Sequence, residues 1–224
     1  MKNKMTLSGY IIKVFTWMFL GLLVTGITSY VVSNSTSMLE TIFANPASIY
    51  ILLGLELLCV FVISRFKEKL SFNFLLIVFV LYSIINGLTF SVIFLIYELT
   101  SIVLIFGLTA LLFGGLVFYG YVTKKDMTKI GNICIVALIV IIIATIVNLF
   151  LKNEIFDIIL TIIGILIFVG LTVYDMQKIK NFYTSYENDE EMVNKVAIYG
   201  ALELYLDFIN LFIRLLRLLG KRKN

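Results

Sequence analysis

Long apolar runs separated by short polar turns set the pattern of the chain. The runs fall at about residues 11–33, 47–66, 72–97, 99–122, 130–151, 155–174 and 198–219. Several approach or exceed the ~18–20 residues that a helix needs to cross the hydrocarbon core of a bilayer. The pattern predicts an all-α polytopic membrane protein with seven helices, forming one integral membrane domain over residues 1–224. Little chain remains for a soluble domain. A membrane barrel would need strands of alternating inward and outward polarity, and no such alternation occurs; Pro46 is the single proline. The first run follows Lys2 and Lys4. Its apolar core is too long for a signal peptide and lacks a small-residue cleavage site, so it reads as a retained span.

The last run breaks the pattern in an informative way. Glu203, Asp207, Asn210, Arg214 and Arg217 recur at steps of four, three, four and three, which stacks them on one helical face. At ~1.5 Å rise per residue this stripe is ~21 Å long, with carboxylates toward one end and guanidinium groups toward the other. Ionised groups in hydrocarbon cost ~2.5 kcal/mol or more each, so the stripe should face protein, water or headgroups. An amphipathic helix lying in the interface would show a similar stripe. The strongly apolar opposite face, and Asp207 near the middle of the run, favour a central helix wrapped by the others.

Composition agrees with the pattern: 61% of the 224 residues are hydrophobic, against ~45–50% in a soluble domain. Charge placement then predicts orientation, because short loops rich in Lys and Arg stay in the cytoplasm. The amino terminus and the turns at 65–69, 124–129 and 178–195 are basic; the connections at 33–45 and 97–99 carry no Lys or Arg, and 151–154 carries one. This places the amino terminus inside a bacterial plasma membrane. Seven full crossings would then leave Lys221, Arg222 and Lys223 outside, against the rule. Either the last segment is short or re-entrant, or the earlier crossings fix the orientation and the tail follows. The tail and the net charge of +4 also suit contact with anionic headgroups.

Candidate chemistry is confined to a few residues. There is no histidine, which removes histidine metal sites and Ser-His catalysis. Cys59 and Cys134 lie in apolar runs without partner spacing and read as core residues. Ala110 with Gly114, and Gly164 more weakly, read as helix-packing positions, and Asn86 and Asn148 as interhelical hydrogen-bond formers. Glu98, Glu154 and Asp157 read as solvated charges at span ends. Intramembrane ionisable residues are functional candidates by default, which singles out Glu56, Asp175, Glu203 and Asp207. Asp175 and Asp207 close the sixth run and centre the seventh, so antiparallel packing could bring them together. Two close carboxylates share a proton and titrate as one unit, which makes a proton sensor. Deprotonated, they offer the hard oxygens that calcium prefers. Arg65, Lys67 or Arg214 could pair with one of them and latch two helices; spacing does not choose among the three.

Residues 173–180, VYDMQKIK, followed by 201–220, ALELYLDFINLFIRLLRLLG, closely resemble the signature of the transmembrane Bax inhibitor motif family in its bacterial branch, and Asn86-Gly87-Leu88-Thr89 is similar to another family element. The likeness covers essentially the whole chain. It implies six helices around a central seventh and a pH-sensitive calcium leak whose sensor is an aspartate pair, here Asp175 and Asp207. Glu56 matches an acidic residue lining the pore. A basic residue at the end of that helix pairs with the first aspartate in the family, and Arg65 and Lys67 both fall near its place. Glu203 stands where many members have a small polar residue, and a third carboxylate one turn from Asp207 would either raise the pair's pKa further or strengthen cation binding. The expected partners are the lipid bilayer, calcium and protons; neither cofactor nor nucleic acid is expected.

Other classes use the same residues. A regulator without transport would bind a membrane protease or another membrane partner, the mixed-charge segment 187–195 being the feature concerned. A proton-coupled carrier would show broken helices or an inverted repeat, and neither stands out. An intramembrane aspartyl protease would need a Gly-x-Gly-Asp element, where this chain has Leu204-Tyr205-Leu206-Asp207. The chain is therefore expected not to be an enzyme.

Overall fold

A computed structural model of the chain describes residues 5–45 and 47–223. Lys2, Lys4 and Pro46 lie outside the described residues. Among the described residues eight helices follow one another: α1 (Leu7–Ser33), α2 (Thr36–Phe43), α3 (Ala47–Phe66), α4 (Phe72–Ile96), α5 (Leu99–Val122), α6 (Thr128–Leu151), α7 (Glu154–Tyr186) and α8 (Glu190–Leu219). All but α2 are long and apolar enough to cross a membrane. The protein is an all-α polytopic membrane protein.

Local chemistry marks the helix ends. Thr6, Ser35 and Ser71 stand in extended backbone ahead of α1, α2 and α4, and each hydroxyl accepts from an amide of the first turn, satisfying donors that a helix start leaves free. Ahead of α6, Asp126 accepts from the Thr128 amide at 2.9 Å. Hydrogen bonds from the Thr128 side chain and amide hold its carboxyl below the usual carboxylate range. Asn148 corrects an expectation: its amide exchanges two 3.2 Å bonds with the backbone of Asn153 and so closes the end of α6, instead of joining helices.

The chain divides into two compact units. The first holds residues 1–98, 181–205 and 222–224; the second holds 99–180 and 206–221. Both α7 and α8 therefore change unit along their length.

In the first unit α1 packs along α4, α3 also packs on α4, and α2 links α1 to α3. The α1–α4 contact is close because glycines face it. A Cβ on Gly87 would stand 2.6 Å from Cβ of Thr28 and 2.9 Å from the Thr25 carbonyl oxygen, and one on Gly21 would meet the Phe79 ring. Hydroxyls exploit the closeness: Thr25 donates to the Ser83 carbonyl at 2.9 Å, and Ser29 to that of Gly87 at 2.9 Å. Such small and hydroxyl residues drive helix association where lipid is as apolar as leucine.

The same unit settles the path of the tail. At one end, Lys13 meets Asn194 (2.6 Å) and the Phe72 ring, and Tyr10 donates to the Val196 carbonyl. At the other, the Lys223 amide donates to the Ile96 carbonyl at 2.8 Å and Arg222 pairs with Tyr97. Thus α8 starts beside the start of α1 and its tail ends beside the α4–α5 connection. The last segment is one continuous helix, α8 (Glu190–Leu219).

In the second unit Ile141, Leu160, Ile167, Phe168, Leu171 and Leu211 form a core from α6, α7 and α8. A Cβ on Gly120 of α5 would come 2.7 Å from the Val173 carbonyl oxygen and 2.9 Å from Cβ of Met176, both on α7. Gly114, expected at a packing contact, has nothing within 4 Å. The polar segment 178–195 is not a long loop either: α7 runs to Tyr186 and α8 begins at Glu190.

Candidate functional site

The Asn86-Gly87-Leu88-Thr89 element acquires a structural meaning residue by residue. Gly87 admits α1, as described. Asn86 and Thr89 lie three apart and so share a side of α4. Thr89 donates its hydroxyl to Glu56 Oε1 on α3 at 2.7 Å, and the Asn86 NH2 donates to the Tyr82 hydroxyl at 3.4 Å. At its other end Asn86 Oδ1 accepts from the Tyr205 hydroxyl at 3.0 Å. The Tyr205 oxygen is 2.6 Å from Thr25 Oγ1. Inside the first unit, Thr25 of α1, Tyr205 of α8 and Asn86 and Tyr82 of α4 are joined by hydrogen bonds, and beside them Thr89 of α4 is joined to Glu56 of α3.

Tyr205 is the hub. It is fully buried, and its ring meets Phe79 and Tyr82 edge to face at 6.1 and 5.4 Å, the offset geometry that aromatic quadrupoles favour. Its hydroxyl must then find partners in the interior, and the network supplies two. Thr25 carries neither charge nor motif, and Tyr205, though inside the 201–220 signature, carries no charge; their pairing escapes a reading of the sequence. The position of Tyr205, two residues ahead of Asp207, was the available hint.

Glu203, also in the first unit, is half-buried and acts electrostatically on the buried Tyr10 hydroxyl. Lys67 sits 4.2 Å from the Tyr199 ring centre and 5.8 Å from that of Phe182, a cation–π arrangement, and donates to the Ser64 carbonyl. Arg65 stands in the last turn of α3. The Lys67 ammonium is thus engaged by aromatic faces and a carbonyl.

The rest of the candidate residues fall in the second unit. Asp207 is 3% exposed. The residue after it, Phe208, packs edge to face on Phe106 and Phe113 of α5 at 5.1 and 5.4 Å. Asp175 on α7, its side chain 14% exposed, has Lys178 at 3.9 Å. Arg214 turns toward α7, where it donates to the Leu160 carbonyl at 3.2 Å, lies over the Phe168 ring at 5.5 Å and occupies the space that Gly164 leaves. Gly164 thus accommodates a guanidinium and not a helix backbone. Arg217 pairs with Asp157 at 3.1 Å, so Asp157 is not simply solvated. Both partners are partly exposed, and such pairs are worth ~0–1 kcal/mol. The lower half of the polar stripe therefore faces protein on α7. Among the described residues no three Cys, Asp or Glu side chains gather as a metal-holding group.

Seven apolar helices that carry carboxylates and a hydrogen-bonded polar network define a multi-pass helical membrane protein. The family model described as "Inhibitor of apoptosis-promoting Bax1" matches residues 7–224, and the chain belongs to this Bax inhibitor motif family. It is 42% identical over 218 residues to the "Inner membrane protein YbhL" of Escherichia coli (strain K12), covering 97% of this chain and 93% of that protein. It is 41% identical over 223 residues to a protein of Borreliella burgdorferi (100% and 94% covered), and 34% identical over 214 residues to one of Deinococcus radiodurans (95% and 90%).

Proposed function

We propose that the protein is a pH-sensitive leak channel for calcium or a similar cation, gated by protonation of Asp175 and Asp207. The observation that carries this reading is Asp207, a carboxyl group only 3% exposed in the middle of a helix that is itself deeply buried. The apolar stretch of α8 is 78% buried, against 11–39% in the other six long helices. A group whose charge is expensive at that depth, and whose proton is exchangeable, is what a proton-operated gate requires. Asp175 lies on α7 of the same unit, and the two would titrate as a pair. Glu56, Glu203 and Asp207 supply the oxygen ligands a calcium ion accepts in passing; calcium is cargo here and not a resident cofactor. The burial of α8 also supports its place as the central helix among six.

The amino terminus is proposed to be cytoplasmic. Lys13, the 65–69 turn and the start of α8 lie at one end of the first unit, and basic residues favour the inner side. The tail then lies outside, as the earlier crossings dictate. For the latch, Lys178 stands 3.9 Å from Asp175 and joins Arg65, Lys67 and Arg214, the candidates from spacing.

The test is cation flux into liposomes holding the wild type, Asp175→Asn and Asp207→Asn, scanned from acid to alkaline pH. Wild-type flux is expected to change by roughly 5- to 150-fold across the titration, the range of a coupling free energy of ~1–3 kcal/mol. Each substitution should remove most of that change. An Asp207→Asn protein with a normal pH response would overturn the gate assignment.

A further inference from the structure

We infer that Gln177 is the positioning residue for Asp175: its side-chain amide clamps the backbone of the α5–α6 turn and so fixes the rotation of α7, which carries Asp175 on the opposite face. The inference deepens the leak reading, on which its functional meaning rests, by naming what aims one acid of the proposed gate.

The clamp closes inside the second unit. Gln177 Oε1 accepts from the Met127 amide at 2.9 Å, and Gln177 Nε2 donates to the Lys125 carbonyl at 2.8 Å. A glutamine amide has one accepting and one donating end, and the turn presents the complementary pair. Met127 is buried, so its amide requires an acceptor from the protein. The turn is itself fastened: the Lys125 amide donates to Thr123 Oγ1 at 3.3 Å, and the Thr128 amide to Asp126 Oδ1 at 2.9 Å. Gln177 therefore grips a fixed object.

The same side of α7 meets the end of α5 and the start of α6 along about three turns. A Cβ on Gly170 would stand 2.6 Å from the Cys134 sulfur, and the Val173 carbonyl oxygen approaches Gly120. The Tyr174 ring fills the space over Gly131. Lys180 donates to the Tyr121 carbonyl and lies 5.3 Å from the centre of its ring. Positions 170, 173, 174, 177 and 180 recur at steps of three, one, three and three, one side of a helix. Packing sets the distance between these helices. The two bonds of Gln177 set angle and height, because hydrogen bonds weaken steeply away from their preferred geometry.

Residues two apart on a helix of ~3.6 residues per turn point roughly 160° away from each other. Fastening Gln177 to the turn thus holds Asp175 on the far side, where its side chain is 14% exposed and has Lys178 at 3.9 Å. The charged groups around the clamp are Lys125 and Asp126 of the turn and Lys178 and Lys180 of α7. The amide itself is neutral, so it keeps its grip at every pH at which Asp175 titrates.

Alkylation of an introduced thiol tests the orientation without using transport. Asp175→Cys is made in the full chain in lipid nanodiscs, and its reaction with a water-soluble maleimide is timed against that of the buried native Cys59, with mass spectrometry resolving the sites. Buried thiols react through locally opened states, so the rate follows the population of those states. Gln177→Met keeps the volume and deletes both bonds. Their loss should raise the rate at 175 roughly tenfold, while Cys59 keeps its rate. Gln177→Glu should match the glutamine protein in acid, where the carboxylic acid keeps an acceptor and a donor. At alkaline pH, where the carboxylate has no donor for the Lys125 carbonyl, it should react faster than the glutamine protein at the same pH. An unchanged rate at 175 in Gln177→Met, or a rise that Cys59 shares, overturns the assignment. Should Gln177→Met fail to fold, Gln177→Glu decides, and a rate ratio that stays constant with pH overturns it equally. The pH profile of flux in Gln177→Met, with Asp175 intact, is measured separately, so a failed leak and a failed orientation give different results.

Discussion

Replacing Tyr205 by alanine is expected to cost about 3–5 kcal/mol, the range for deleting a buried aromatic side chain. Three losses add. The ring leaves a cavity between Phe79 and Tyr82, which it meets at 6.1 and 5.4 Å. Its hydroxyl leaves Asn86 Oδ1 without its 3.0 Å donor, and Thr25 loses its 2.6 Å neighbour. In a membrane protein the helices gain little from leaving lipid for protein, so lost packing and stranded polar groups carry the penalty. Reversible unfolding in mixed micelles measures it. Tyr205→Phe keeps the ring contacts and should cost only ~0.5–1.5 kcal/mol. A loss below ~1 kcal/mol for Tyr205→Ala would show that the hub is not structurally important.

A valine at Gly120 is expected to rank next. The added Cβ alone would stand 2.7 Å from the Val173 carbonyl oxygen and 2.9 Å from Cβ of Met176, and neither is the movable tip of a side chain. Helices α5 and α7 must separate, at a cost of ~1–3 kcal/mol or more. Gly114 supplies the control on the same helix, since no atom lies within 4 Å of its added Cβ. Gly114→Val should therefore unfold close to the wild type. Equal stability of the two variants would contradict the close approach of α5 and α7.

The contrast between those glycines shows how far the sequence could be read. Hydropathy located every long helix, because a bilayer imposes a length and an apolar composition that single residues cannot hide. It could not separate Gly114 from Gly120, since a small residue has no mark of which neighbour it faces. It also cut α7 and α8 short. Hydropathy reports contact with lipid, whereas 178–195 continues the helices in polar sequence. A marker of the true boundary was present: Asp189 accepts from the Met192 amide at 3.0 Å, and Glu190 and Glu191 fill the first turn of α8, as a helix start favours.

The acidic residues were legible one by one because each is costly in an apolar run. Their wiring was not. Thr25 and Tyr205 are 180 positions apart, and no local spacing predicts that pairing. Arg214 illustrates the same limit, for its place on the polar stripe gave its face correctly but not its partners on α7, the Leu160 carbonyl and the Phe168 ring.

The exposed polar residues at the ends of α7 and α8, among them Asn181, Ser185, Asp189 and Glu191, favour one further reading, a regulator that docks a membrane partner such as a protease. One measurement separates it from the leak most directly: calcium entry into liposomes containing the purified wild-type protein, followed across pH with folding verified by its unfolding transition. The account predicts entry that depends on the protein and varies with pH. Folded protein with no calcium entry at any pH would contradict the leak and leave the regulator as the better description.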